Sequence, residues 1–237
     1  MELLAKSSFS FLRGSNLPED LFTLAAELGH KTIGLVDHMG FYGSARAHHT
    51  AKKNGIRAIV GTTLETFPLS GKSFTISQLP VLCQSRKGYQ NLSQLLTRCH
   101  CAPDSQHREE HSLLGLHAVL TPESFSRLTR QKLLASAIEL KELFGPNNVS
   151  LALFRHDRRG EERRNQLMRD LGEHLKLPLL ASNAPLYAKP KNRLLTDAFT
   201  CLREKTTLDD AGRRLEMNGE RFLKSPVELQ QIFSAYP

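Results

Sequence analysis

Residues 34–65 read GLVDHMGFYGSARAHHTAKKNGIRAIVGTTLE, and this stretch decides the fold class. It opens inside a β-rich apolar run from Thr32 to Asp37, crosses a helical segment from Gly43 to Lys53, and enters a second apolar run from Ile56 to Val60. Asn54-Gly55 stands between helix and second run, the residue types that close a helix in a left-handed turn. Strand, helix and strand in such close succession predict a βαβ unit with two parallel strands. Short apolar runs of this kind suit strands buried on both faces.

The same alternation extends in both directions. Further apolar runs lie at Glu2 to Ala5, Leu79 to Cys83, Leu116 to Leu120, Val149 to Phe154 and Pro178 to Ser182. Between them fall helical segments at Pro18 to Leu28, Gly88 to Cys99, Thr129 to Phe144, Gly160 to Leu175 and Lys191 to Arg203. Seven rounds of strand and helix predict a parallel sheet closed into an α/β barrel with helices outside, in preference to an open doubly wound sheet. Pro103 to Ser112, PDSQHREEHS, is polar and aperiodic and reads as a surface loop or disordered insert. We place the barrel at residues 1–203. Residues 204–237, which carry caps and short helices but no further strand, read as a helical extension.

Composition narrows the classes. The chain has 237 residues, 40% hydrophobic and 24% charged, enough to bury a core without staples. No apolar stretch approaches the roughly 20 residues of a membrane span. The N-terminus lacks the pattern of a secretory signal, so a cytoplasmic location is expected. Cys83, Cys99, Cys101 and Cys201 form no disulfide framework, and Cys99-His100-Cys101 lacks a second ligand pair at finger-like spacing. The formal charge of +8 favours polyanions. Its cations cluster at Lys52-Lys53, Arg155 through Arg164, Lys189 through Arg193 and Arg213-Arg214, several of them interleaved with acids as on an ordinary solvated helix face.

In a barrel the site is built where strands end. Those positions are Lys6, Asp37-His38, Thr62-Thr63, Gln84, Thr121, Arg155-His156 and Asn183. Several belong to longer phrases: ELLAKSSFSFLRGSN (2–16), the stretch 34–65, RKGYQNLSQLLTRCH (86–100), LPLLASNAPLYA (177–188) and the segment from Leu194 to Phe233. Together they closely resemble the polymerase and histidinol phosphatase (PHP) domain, in the form found in the error-prone branch of bacterial DNA polymerase III α-type enzymes. The resemblance implies a distorted seven-stranded α/β barrel and roles in DNA replication and repair. Active members hold up to three divalent metals, Zn, Mn or Mg, and cleave phosphate esters with a metal-activated water.

The ligand set that the resemblance implies is largely replaced. The His-x-His phrase is Leu4-Ala5-Lys6, and Arg13 stands at an Asp position before Gly14. Asp37 and His38 remain. Thr63 takes the Glu place after Gly61, and Ala184-Pro185-Leu186 takes the place of Asp-x-His. Leucine and alanine offer no lone pair, and lysine and arginine bring like charge to a cation. Losing even one supporting partner costs roughly 10 to 100-fold in metal affinity. No bound metal or other cofactor is therefore expected; His38 is a weak remaining candidate ligand. Lys6 and Arg13 are expected to replace the cations by pairing with Asp37 or holding a phosphate-like anion. Lys189, Lys191 and Arg193 are candidate contacts for DNA or for other polymerase subunits. The leading expectation is a non-catalytic structural and interaction domain. A metal-dependent phosphoesterase or 3′-5′ exonuclease with a rearranged site, and a basic nucleic-acid-binding module, are the alternatives.

Overall fold

The computed structural model describes residues 1–68, 75–101, 112–125 and 129–236. Seven strands form one sheet in chain order: β1 (Glu2–Ala5), β2 (Thr32–His38), β3 (Arg57–Pro68), β4 (Thr75–Cys83), β5 (Leu116–Leu120), β6 (Val149–Leu153) and β7 (Leu179–Ala181). Helices alternate with most of them: α1 (Pro18–Glu27), α2 (Ser44–Lys53), α3 (Arg86–Cys101), α4 (Arg130–Phe144), α5 (Glu161–Leu175) and α6 (Arg193–Glu204). The curled seven-stranded sheet with its helices is the expected α/β barrel architecture. The expected Asn54-Gly55 terminus also forms, with Gly55 at φ +68°. Most of the loop expected at Pro103 to Ser112 lies outside the described residues.

One strand departs from the expected parallel order. β4 runs antiparallel to both β3 and β5, while the other neighbouring pairs are parallel. Its C-terminal end therefore points to the opposite mouth. Gln84 consequently leaves the predicted site and lies beside His117, near the start of β5, with Gln84 Nε2 3.5 Å from His117 Nδ1.

β1 and β7 are the two ends of the sheet order, and the seam between them is bridged by a side chain. Glu2, 1% exposed, accepts hydrogen bonds from Ser182 Oγ at 2.5 Å and Asn183 N at 2.8 Å. Its Oε1 also accepts from the amides of Leu3 and Leu4. Lys6 N donates to Pro185 O at 3.2 Å just beyond. A buried carboxylate so fully supplied with donors is stable without a counter-ion.

Residues 204–236 pack onto the barrel. They contain α7 (Leu208–Ala211), a 3-10 turn at Gly212–Arg214 and α8 (Pro226–Ile232), which a Ser225/Glu228 capping box starts. Leu229 and Phe233 join the core formed by β4 to β6, α3, α4 and α5, whereas Leu223 joins the one between β1, β2, α1 and α2. Arg221 is 4% exposed and reaches the mouth of the barrel. No helix among the described residues is long and apolar enough to cross a membrane.

Candidate functional site

Because strands β1, β2, β3, β5, β6 and β7 run in one direction, their C-terminal ends share a mouth. Asp37, at the end of β2 and 1% exposed, is its first fixed point. Its Oδ1 accepts from Ser7 N at 2.8 Å and Ser10 Oγ at 2.7 Å; Ser7 Oγ lies 2.9 Å from both carboxylate oxygens, and Gly43 N donates to Oδ2 at 3.2 Å. A Cβ at Gly43 would come within 2.6 Å of Asp37 Oδ2, so only glycine lets the start of α2 approach this closely. Asp37 is thus held by uncharged donors. The expected pairing with Lys6 or Arg13 does not form, since four local hydroxyl and amide groups already fill its acceptor sites.

Arg13 instead binds Glu65, on β3, at 2.9 Å, and His38 Nε2 lies 3.6 Å from the same carboxylate. His38 N donates to Ser10 Oγ at 3.0 Å, tying this cluster to the Asp37 knot. Burial, reinforced by Arg13, lowers the His38 ring to about 4, so it is neutral at pH 7.

Deeper in the mouth lies a second network. Arg221 contacts Glu123 at 2.9 Å and Glu216 at 3.2 Å, and also donates through Nε and NH2 to Ala184 O. Arg158 pairs with Glu216 and lies 3.8 Å from Glu123. Two guanidiniums and two carboxylates so neutralise one another. Burial alone would raise the Glu123 carboxyl, but Arg221, Lys6 and Arg158 outweigh it and hold the group below its ordinary range. Lys6 has no carboxylate within 4.0 Å among the described residues; burial, aided by repulsion from Arg221, pulls it down to about 8. His156, buried, makes a 2.8 Å contact from Nε2 to Asn183 O, and burial lowers it to about 3. That carbonyl can only accept, so Nε2 carries the proton.

The remaining sequence candidates fill structural places. Leu4, Ala184 and Leu186 are buried, Leu4 and Ala184 in one apolar cluster with Val36 and Phe154. Thr63 is buried, its hydroxyl donating to Val36 O at 3.0 Å, and Thr62 does the same to Asp37 O at 2.8 Å. Lys189 and Lys191 are exposed, whereas Arg193 is drawn back to Glu216 O at 2.9 Å and Asp197 at 3.4 Å. Sequence reasoning missed Glu65, Glu123, Arg158, Glu216 and Arg221. Arg158 falls in the basic cluster Arg155 through Arg164, and Glu216 and Arg221 lie beyond residue 204 in the expected extension.

A divalent metal needs several converging lone pairs and an open coordination position. Asp37 is committed to its donors, Glu123 and Glu216 to arginines, and His156 Nε2 to a carbonyl. Two histidines among the described residues adjoin a carboxylate: His38 beside Glu65, which also takes the Arg13 guanidinium, and His156 Nδ1 3.6 Å from Glu161, whose other oxygen accepts from the amides of His156 and Arg158. Among the described residues no group of three or more His, Cys, Asp or Glu could hold a metal ion, and that includes Cys99-His100-Cys101. The described residues do not fit the family's metals.

Fold and mouth together define a PHP-type α/β barrel with a rebuilt ligand set. The PHP domain model matches residues 2–156, more than half of the chain, and the chain belongs to the PHP domain family. It is related to the N-terminal part of error-prone DNA polymerases. Those of Anaeromyxobacter sp. (strain K) and Caulobacter vibrioides are 38% and 31% identical over 251 and 247 residues, each match taking in 100% of this chain. The chain spans 21% of the length of either relative. Among solved structures, an amidohydrolase from Chromobacterium violaceum with bound sulfate and no metal has a TM-score of 0.54 at 11% identity, over 76% of this chain and 85% of that one. At that identity the likeness speaks for the fold alone.

Proposed function

We propose that this chain is a non-catalytic PHP domain with a structural and interaction role in a polymerase-type assembly. The observation that carries the reading is the Arg158, Arg221, Glu123, Glu216 network. It puts fixed organic cations against the carboxylates in the barrel mouth, with Lys6 beside them. Guanidiniums can hold carboxylates together, but they cannot lower the pKa of a water to make a nucleophile as a metal does. The mouth thereby becomes a clamp between the barrel and residues 204–236. The exposed Lys189 and Lys191 offer contacts to DNA or a polymerase subunit, and the relatives' names make such partners the natural ones.

Purified protein should carry no stoichiometric zinc or manganese by plasma mass spectrometry, and should release neither phosphate from a model ester nor nucleotides from a 3′-labelled oligonucleotide. Stoichiometric metal, lost together with an esterase activity on His38→Ala, would overturn the proposal in favour of a phosphoesterase or exonuclease.

A further inference from the structure

Outside the mouth, α5 and the start of α4 border an open groove of about 770 Å³ lined by Thr129, Arg130, Arg163, Arg164, Leu167 and Asp170, with Gln166. Both helices follow strands whose C-terminal ends form the mouth, so the helix starts, and with them the three arginines, lie on the mouth side of the outer layer. Arg130 and Arg163 are exposed and Arg164 is half-buried. None of the three has a carboxylate within 4.0 Å among the described residues, in contrast to the paired Arg13, Arg158 and Arg221. The one acid in the lining, Asp170, accepts a 2.6 Å hydrogen bond from Gln166 Nε2. The lining thus carries three positive charges against one negative.

The groove continues along α5. A neighbouring depression of about 310 Å³ shares Gln166 and Asp170 with it and adds Arg169, Gly172, Glu173, Leu177, Leu179 and Tyr236, one further cation against one further acid. Arg169 lies over the Tyr236 ring, 5.4 Å from its centroid. A run of unpaired guanidiniums leading to an aromatic ring, with apolar Leu167 and Leu179 between, suits a polyanion that also has flat apolar faces. Inorganic phosphate would use the first feature and a membrane surface would not enter a groove. We propose that this α4/α5 groove binds single-stranded nucleic acid, the three arginines taking phosphates and the Tyr236 end a base. The site goes beyond the reading of the mouth and does not depend on the mouth's metal status.

Three neutralised phosphates on a single strand give log K a salt slope of about −2, so affinity should fall roughly 20-fold between 50 and 200 mM salt. Fluorescence anisotropy of the whole chain with labelled oligo-dT reads this directly. Combined Arg130→Ala, Arg163→Ala and Arg164→Ala should bring the slope close to zero, while Lys at all three positions should keep most of it. Lys52→Ala with Lys53→Ala, exposed on the last turn of α2 and outside the groove's lining, serves as control and should leave the slope within experimental error. Thermal melting of the triple alanine variant should match the parent, because none of the three holds an ion pair that the fold uses. An undiminished slope in that variant would overturn the assignment. So would poly-aspartate competing as well as oligo-dT, which would make the groove a general ion-exchange face.

Discussion

At the residue scale, Lys6 and Arg221 show how neighbouring cations can have opposite energetic signs. Arg221 is enclosed by Glu123, Glu216 and the Ala184 carbonyl, so Arg221→Met should leave two carboxylates short of a buried partner. A loss of about 3–5 kcal/mol in urea unfolding is expected. Lys6 lacks such a partner and repels Arg221. Its folded value of about 8 lies below the unfolded value of 10.5, so between these the unfolded chain binds more protons, and stability should rise with pH across that window. Lys6→Met should remove this rise and stabilise the protein at pH 7 by about 1 kcal/mol, screening having been allowed for. This reverses the sign that pairing with Asp37 would have given. A loss of stability in Lys6→Met would show that the ammonium is held by something stronger than the arrangement described.

At the scale of elements, the seam between β1 and β7 depends on one carboxylate. Glu2→Ala would strand the amides and hydroxyl that Glu2 now satisfies, and should cost about 2–4 kcal/mol, measured as a lower urea midpoint. Glu2→Gln, which keeps one acceptor oxygen, should cost less. Most elements were legible in the sequence because period, turn residues and caps are local. Leu116 to Leu120, for instance, was bounded correctly from its apolar run. The direction of β4 is not legible because the apolar runs Ile56 to Val60 and Leu79 to Cys83 are shorter than the strands they seed; only the full lengths of β3 and β4 bring Pro68 and Thr75 too close for a helical crossover. The substitutions at Leu4, Ala184 and Leu186 were legible only through the family phrases. Glu123, Glu216 and Arg221 carry no periodic or motif signal, since their meeting is a product of the tertiary fold.

Across the whole molecule, acid should act through rings kept neutral by burial. His156 and His38 take a proton only near 3 and 4 when folded, against 6.5 in the unfolded chain. From pH 6.5 down to 4 the unfolded state therefore binds more protons, and stability should fall with pH. His156→Gln should flatten that fall in a series of urea titrations, and an unchanged pH profile would remove His156 from the account. The Glu123 to Arg221 contact spans 98 residues and the Glu2 to Ser182 contact 180. A chain made from its N-terminus at about 5–20 residues per second needs roughly 5–20 s to travel from the first of these pairs' acids to its arginine. During that interval Arg158 is made but Arg221 is not, and the barrel mouth lacks its closing piece. Ribosome-bound chains stalled before residue 221 should therefore be cut by protease far faster than those stalled well beyond it, the clamp being set by residues made after all seven strands.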